Sequence, residues 1–83
     1  MRIVISKPAG RALLRSNKRG LLTAKIEELA ADPAALANNI IRLQGRESFR
    51  LRVQDWRIIF RMDPDTLFVD EIEPRGSAYE DRT

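Results

Sequence analysis

Cysteine and histidine are both absent from this chain of 83 residues. Without cysteine, neither a disulfide nor a thiolate zinc site can staple so small a domain, and its stability rests on its core or on a partner. Without histidine, the chain lacks the usual general base near neutral pH and the commonest transition-metal ligand. No cofactor and no metal is expected on these grounds. No apolar run approaches the roughly 20 residues of a membrane span. The opening MRIVISKPAG has an apolar run of only three residues before Ser6 and Lys7, unlike a secretion signal. The composition predicts a soluble protein of the reducing cytoplasm, with no membrane partner.

What is present suffices for one domain over residues 1–83. Hydrophobic residues make up 43% of the chain, enough for one compact core and too many for a disordered tail. Fifteen Lys and Arg face 12 Asp and Glu, a net charge of only +3, so where the charges lie matters more than their sum.

Residues 3–5 read as a short strand ended by Ser6-Lys7-Pro8. Ser6 is a candidate helix N-cap and Pro8 suits a first helical turn. A short helix over residues 8–15 is expected to bury Leu13 and Leu14. Ser16-Asn17 breaks it, and residues 18–31 then carry Leu22, Ile26 and Leu29 at i, i+4 and i+7 with Ala30 alongside, a helical stripe. Asp32-Pro33 stops that helix, because a residue before proline avoids the helical region. PAALANN is expected as a further helical turn and IIRLQG as a connector. The remaining elements are a hairpin of Phe49–Val53 and Trp56–Met62, a turn at Asp63-Pro64-Asp65, and a last strand over residues 66–73 ended by Pro74-Arg75-Gly76.

A two-residue turn at Gln54-Asp55 sets Val53 opposite Trp56, Arg52 opposite Arg57 and Arg50 opposite Ile59. Phe49, Leu51 and Val53 then share a face with Trp56, Ile58, Phe60 and Met62, which packs on the helices. The other face gathers Arg50, Arg52, Arg57 and Arg61. Like charges directly across an antiparallel pair disfavour folding, so an anion is expected there. Arginine's planar fork fits phosphate oxygens, and Arg75 and Tyr79 follow just beyond the last strand. Tyrosine stacks on a base or exchanges a proton. The blander alternative is a solvated sheet face whose arginines pair with Asp63, Asp65, Asp70 or Glu71. The last strand leaves its register open, since Phe68, Asp70 and Ile72 on one face and Leu67, Val69 and Glu71 on the other are both mixed. A bulge there would let Asp70 or Glu71 reach an arginine of the neighbouring strand.

The runs KIEELAADPAALANNIIRLQG, FRLRVQDWRIIFRM and EIEPRGSAY together resemble the RelE/ParE superfamily of bacterial toxins, from about residue 3 to residue 79. The most specific parts are the RLRV-x-DWRII hairpin and the late PRxxxY ending. The resemblance implies an α+β fold: an N-terminal strand, a helical hairpin, then an antiparallel sheet of about three to four strands cradling a basic cleft. It implies a cognate antitoxin that wraps and neutralises the toxin in a hetero-oligomer. In the RelE branch it implies action on messenger RNA at the ribosome. Basic positions of that branch fall on Arg50, Arg52 and Arg57, and its late arginine and tyrosine on Arg75 and Tyr79. Its best-known pattern has lysines where this chain has Arg50 and Arg52.

Metal-independent RNA cleavage uses the adjacent 2′-OH as nucleophile and leaves a 2′,3′-cyclic phosphate. It needs a base, positive charge for the crowded phosphorane and an acid for the 5′-oxygen. Arg57, Arg75 and Tyr79 are the candidate catalytic residues, and Arg50, Arg52 and Arg61 the candidate phosphate ligands. Arginine is not deprotonated in proteins, so the base falls to Tyr79, to a carboxylate such as Glu47, Glu71 or Glu73, or to the ribosome. The competing functions are a ParE-like inhibitor of DNA gyrase that acts by binding, and a relative that binds RNA or antitoxin without cleavage.

Overall fold

The computed structural model describes residues 1–74. Strand β1, Arg2–Ile5, leads through Ser6 into α1, Lys7–Arg15. The Ser6 hydroxyl serves twice: its Oγ accepts from the Ala9 amide at 3.1 Å, and its O–H donates to the Asp70 carbonyl at 2.7 Å. One side chain thus caps the helix and fastens its start to a strand more than sixty residues away. Helix α1 buries Ala9 and turns Leu13 partly inward, whereas Leu14 is 68% exposed. The expectation that both leucines are buried therefore fails at Leu14, since consecutive residues of a helix lie about 100° apart and the inward stripe of α1 is narrow.

Helix α2, Arg19–Ala31, follows a corner in which Ser16 Oγ accepts from the Lys18 amide at 2.8 Å. It buries Leu22, Ile26, Leu29 and Ala30, as the periodicity predicts, and stops at Asp32 before Pro33. A 3-10 segment, Pro33–Asn39, adds Leu36 to the core. The chain then enters β2, Ile40–Arg42, which pairs antiparallel with β3, Phe49–Val53. Residues read from sequence as a connector are thus an edge strand. Three residues are too few for a legible alternation, and the pairing is created by the partner. Gly45, in the loop between β2 and β3, sits at φ 74, a conformation open to glycine at little cost.

Strand β3 pairs with β4, Trp56–Met62, in the expected register, with Val53 opposite Trp56, Arg52 opposite Arg57 and Arg50 opposite Ile59. The first residue of the two-residue turn, Gln54, has φ 53, the left-handed geometry that tight hairpins demand. Strand β5, Thr66–Pro74, runs antiparallel to β4 and lies parallel to β1, giving the five-stranded order β1-β5-β4-β3-β2. Between Ile59 and Phe60 the β4–β5 register shifts: Ile59 faces Glu71 and Phe60 faces Val69, which leaves Asp70 as the extra residue. The bulge resets the alternation of β5. Leu67 and Val69 point into the core before it and Ile72 after it, and the mixed faces of the sequence are explained.

Both helices pack on the sheet face that carries Leu51, Val53, Ile58 and Phe60. Phe60 is fully buried and stacks on Phe49 with ring centroids 5.5 Å apart. Trp56, expected in the core, is only half-buried and packs against the core's margin, because it sits at the hairpin end beside Pro74. Phe60→Ala should therefore cost about 3–5 kcal/mol, in the range of other buried aromatics, and Trp56→Ala distinctly less. Urea unfolding of the two variants checks this order.

Candidate nucleic-acid interface

The sheet face turned away from the helices carries the arginines, because the period of two along β3 and β4 sends them opposite to Leu51, Val53, Ile58 and Phe60. Arg50 and Arg52 project from β3, and Arg57 projects from β4 directly across from Arg52. Arg52 is exposed and Arg50 half-buried, and neither forms an ion pair with an acid among the described residues. Ile59 lies on the same face, between Arg50 and Glu71 across the strands, and is 6% exposed. Arg50, its partner across the strands, therefore has an apolar neighbour against which a long side chain can lay its methylenes.

Arg57 Nη1 is 3.8 Å from Glu73 Oε1, an ion pair too long for a hydrogen bond. Such a contact orients the guanidinium and leaves its donors available. Arg61 behaves otherwise. Its Nε donates to Asp70 Oδ2 at 2.7 Å and its Nη2 to Asp70 Oδ1 at 3.0 Å, while its guanidinium lies 4.8 Å from the centroid of the Phe68 ring. The hydrogen bonds to Asp70, and then its charge, raise the Arg61 pKa above its ordinary value. Arg61 was expected among the phosphate ligands, yet its fork is already filled by a carboxylate that the bulge brings to this face. Its visible work is to brace the bulge.

Of the candidate carboxylates, β5 places Glu71 opposite Ile59 and Glu73 opposite Arg57, both on the arginine face. Glu47 lies in the loop between β2 and β3 and lines a shallow groove with Arg61, Met62, Asp63 and Phe68, toward the other end of the hairpin. Asp63 is used by its own turn, where Oδ1 accepts from the amides of Asp65 at 3.0 Å and Thr66 at 2.7 Å. Strand β5 ends at Pro74, beside Trp56 at the same end of the sheet as Arg52 and Arg57. Arg75 and Tyr79 come next in the chain and lie outside the described residues. Ile41, missed along with its strand, sits across from Arg50 and is 55% exposed, so it adds an apolar margin to the basic surface. The adjacent β-branched pair Ile40-Ile41 was the only signal for it in the sequence.

No protein-family model matches the sequence, and no curated protein matches it. Solved structures do. A chain of the archaeal RelE–RelB complex from Pyrococcus horikoshii OT3 superposes with a TM-score of 0.75 at 23% identity, covering 90% of this chain and 94% of that one. A chain of the RelB–RelE antitoxin–toxin complex from Methanococcus jannaschii gives 0.73 at 20% identity, covering 96% and 99%. The isolated E. coli RelE toxin gives 0.69 at 17% identity, covering 98% and 93%. The chain has the RelE fold. Near-complete coverage in both directions makes the likeness one of whole domains, with the arginine strands β3 and β4 inside the shared architecture.

A RelE-fold surface that reads phosphates through particular arginines should reveal them in its salt dependence. Arg50→Ala and Arg52→Ala should each weaken binding of a single-stranded RNA oligonucleotide and lower the slope of log K against log salt by about 0.7. Arg61→Ala should change that slope little. Fluorescence anisotropy titrations at stepped salt measure all three.

Proposed function

We propose that the chain is the toxin of a toxin–antitoxin pair, a ribosome-dependent endoribonuclease that cuts messenger RNA and is silenced by a cognate antitoxin. The observation that carries this reading is the juxtaposition of Arg50, Arg52 and Arg57 on adjacent strands of a RelE fold, two of them without an acidic partner among the described residues. Three guanidinium groups on one rigid sheet face form a preorganised receptor for a phosphate that gains negative charge in its transition state. The structural neighbours from Pyrococcus and Methanococcus come from complexes of RelE with RelB, the second an antitoxin–toxin complex, which supports an antitoxin partner here. An acidic or amphipathic antitoxin segment would pair its carboxylates with the same arginines and keep RNA away.

In this reading the 2′-OH attacks the adjacent phosphorus, the bond to the 5′-oxygen breaks, and the products are a 2′,3′-cyclic phosphate and a 5′-OH. Arg50, Arg52 and Arg57 neutralise the phosphorane. Arg75 stabilises the leaving oxygen, and Tyr79 stacks on the base or moves a proton. Glu73, 3.8 Å from Arg57, joins Tyr79 and the ribosome as a source of the base. Lysine, which burial can deprotonate, is absent from the two positions on β3, so the charge-stabilising and proton-moving roles fall on different residues.

Production of the chain alone in bacteria, with and without the product of the neighbouring gene, tests the proposal. Translation should stop at once, messages should be cut only when ribosomes are present, and the fragments should end in cyclic phosphate. Co-production of the neighbour should abolish all three effects. Filamentation with intact messages would overturn the nuclease reading in favour of a gyrase inhibitor, and a folded but harmless chain would leave only a binding role. Arg57→Ala and Arg75→Ala should remove most toxicity with the fold intact. Tyr79→Phe keeps the ring and loses the hydroxyl, so cleavage that survives in this variant assigns Tyr79 to stacking.

A further inference from the structure

The first 26 residues carry seven of the chain's 15 lysines and arginines and none of its 12 acids, while the other eight cations share the rest of the chain with every acid. Six of the seven lie on the helical hairpin; Lys25 pairs with Glu28 on α2, and the other five are Lys7, Arg11 and Arg15 along α1, with Lys18 and Arg19 at the corner into α2. All five are exposed, and none forms an ion pair with an acid among the described residues. Their spacing by four sets the three α1 cations in one stripe, each about 6 Å further along the helix axis than the last.

Apart from Arg15, which suits the dipole in the last turn of α1, this arrangement works against the helices themselves. Like charges at i, i+4 disfavour helix formation. Lys7 and Arg19 stand in first turns, where the macrodipole disfavours cations, and neither helix has an acid in its first turn. Helix stability alone would place glutamate at some of these positions. The stripe is also held in place: Ala9 on the inward side of α1 is fully buried, and Ser6 anchors the helix start to the Asp70 carbonyl. Because the helices pack on one sheet face and Arg50, Arg52 and Arg57 occupy the other, the two cationic surfaces look in different directions.

We propose that the α1 stripe is a second polyanion-binding surface, seated against the phosphate backbone of structured RNA. Leu14 is the one large apolar side chain strongly exposed on α1, at 68%. The stripe thus lacks the broad apolar face that a membrane-surface helix or a docked partner helix requires. A rigid, evenly stepped row of cations matches a rigid, evenly stepped row of phosphates and reads no bases. The inference deepens the proposed action on RNA: an enzyme that cuts a single strand inside a ribosome gains a grip on folded RNA that leaves its cleft open.

The test compares the double variant R11Q/R15Q with wild type and with R50A/R52A, each titrated with a hairpin duplex RNA and with a single-stranded oligonucleotide between about 50 and 200 mM salt. The α1 variant should keep the wild-type thermal midpoint and lose about 2 from its duplex salt slope. The R50A/R52A variant should show its loss on the single strand instead. An unchanged duplex slope in R11Q/R15Q overturns the proposal. Tighter binding of polyglutamate than of duplex RNA overturns it in favour of an acidic protein partner, and binding to anionic vesicles in favour of a membrane. If R50A/R52A leaves single-strand binding intact, the arginine-face reading falls, whatever the α1 variant does.

Discussion

A one-residue slip in the pairing of β3 with β4 would drive Arg50 and Arg52 into the core and expose Leu51 and Val53 to water. Everything on the basic face depends on that register. It is held by a two-residue turn that accepts a positive φ at Gln54, and by the stacking of Phe60 on Phe49 underneath. A hairpin alone is marginal in water. Here its apolar side is covered by the two helices and the 3-10 segment, so the burial of Leu51, Ile58 and Phe60 and the outward display of the arginines are two consequences of one alternation.

The bulge at Asp70 is the second constraint, and it divides the arginines into two kinds. Without the extra residue, β5 would continue the phase of Leu67 and Val69 and bring Glu71, in place of Ile72, to the core. With it, Glu71 and Glu73 turn to the basic face, and Asp70 occupies the Arg61 fork beside Phe68. Arg61 becomes part of the scaffold. Arg50 and Arg52 keep open donors, and Arg57 is only loosely steered by Glu73. A basic sheet face is therefore neither a uniform phosphate receptor nor a surface wholly neutralised by its own acids.

Charge is sorted along the chain as well as across the sheet. The first 26 residues, from β1 to the middle of α2, carry cations and no acid, and the acids begin only at Glu27. The net charge of +3 hides this, since the acids, all of them after residue 26, offset the cations of the first 26 residues in the sum. The sheet separates the two basic regions physically, so each faces solvent as a surface of its own. That separation is what makes two independent contacts with polyanions geometrically available.

Local rules were enough for much of this molecule: the Ser6 cap, the Leu22-Ile26-Leu29 stripe, the stop at Asp32-Pro33, and the β3–β4 hairpin with its facing arginines. Each depends on neighbours a few residues apart, where helical and strand periods are legible. The RelE-like order of elements was legible too, and the solved structures share that fold. Tertiary structure decided what distant partners decide. Ile40–Arg42 becomes a strand only because β3 offers it a ladder, and Trp56 moves to the margin because the hairpin end lies beside Pro74. Leu14 stays in water because α1 spends its narrow inward stripe on Ala9 and Leu13. The fate of Arg61 was settled by a single residue inserted in another strand. The residue types along the chain set which side chains can bind a phosphate; the β4–β5 register, a long-range pairing with no local signature, set which of them are free to do so.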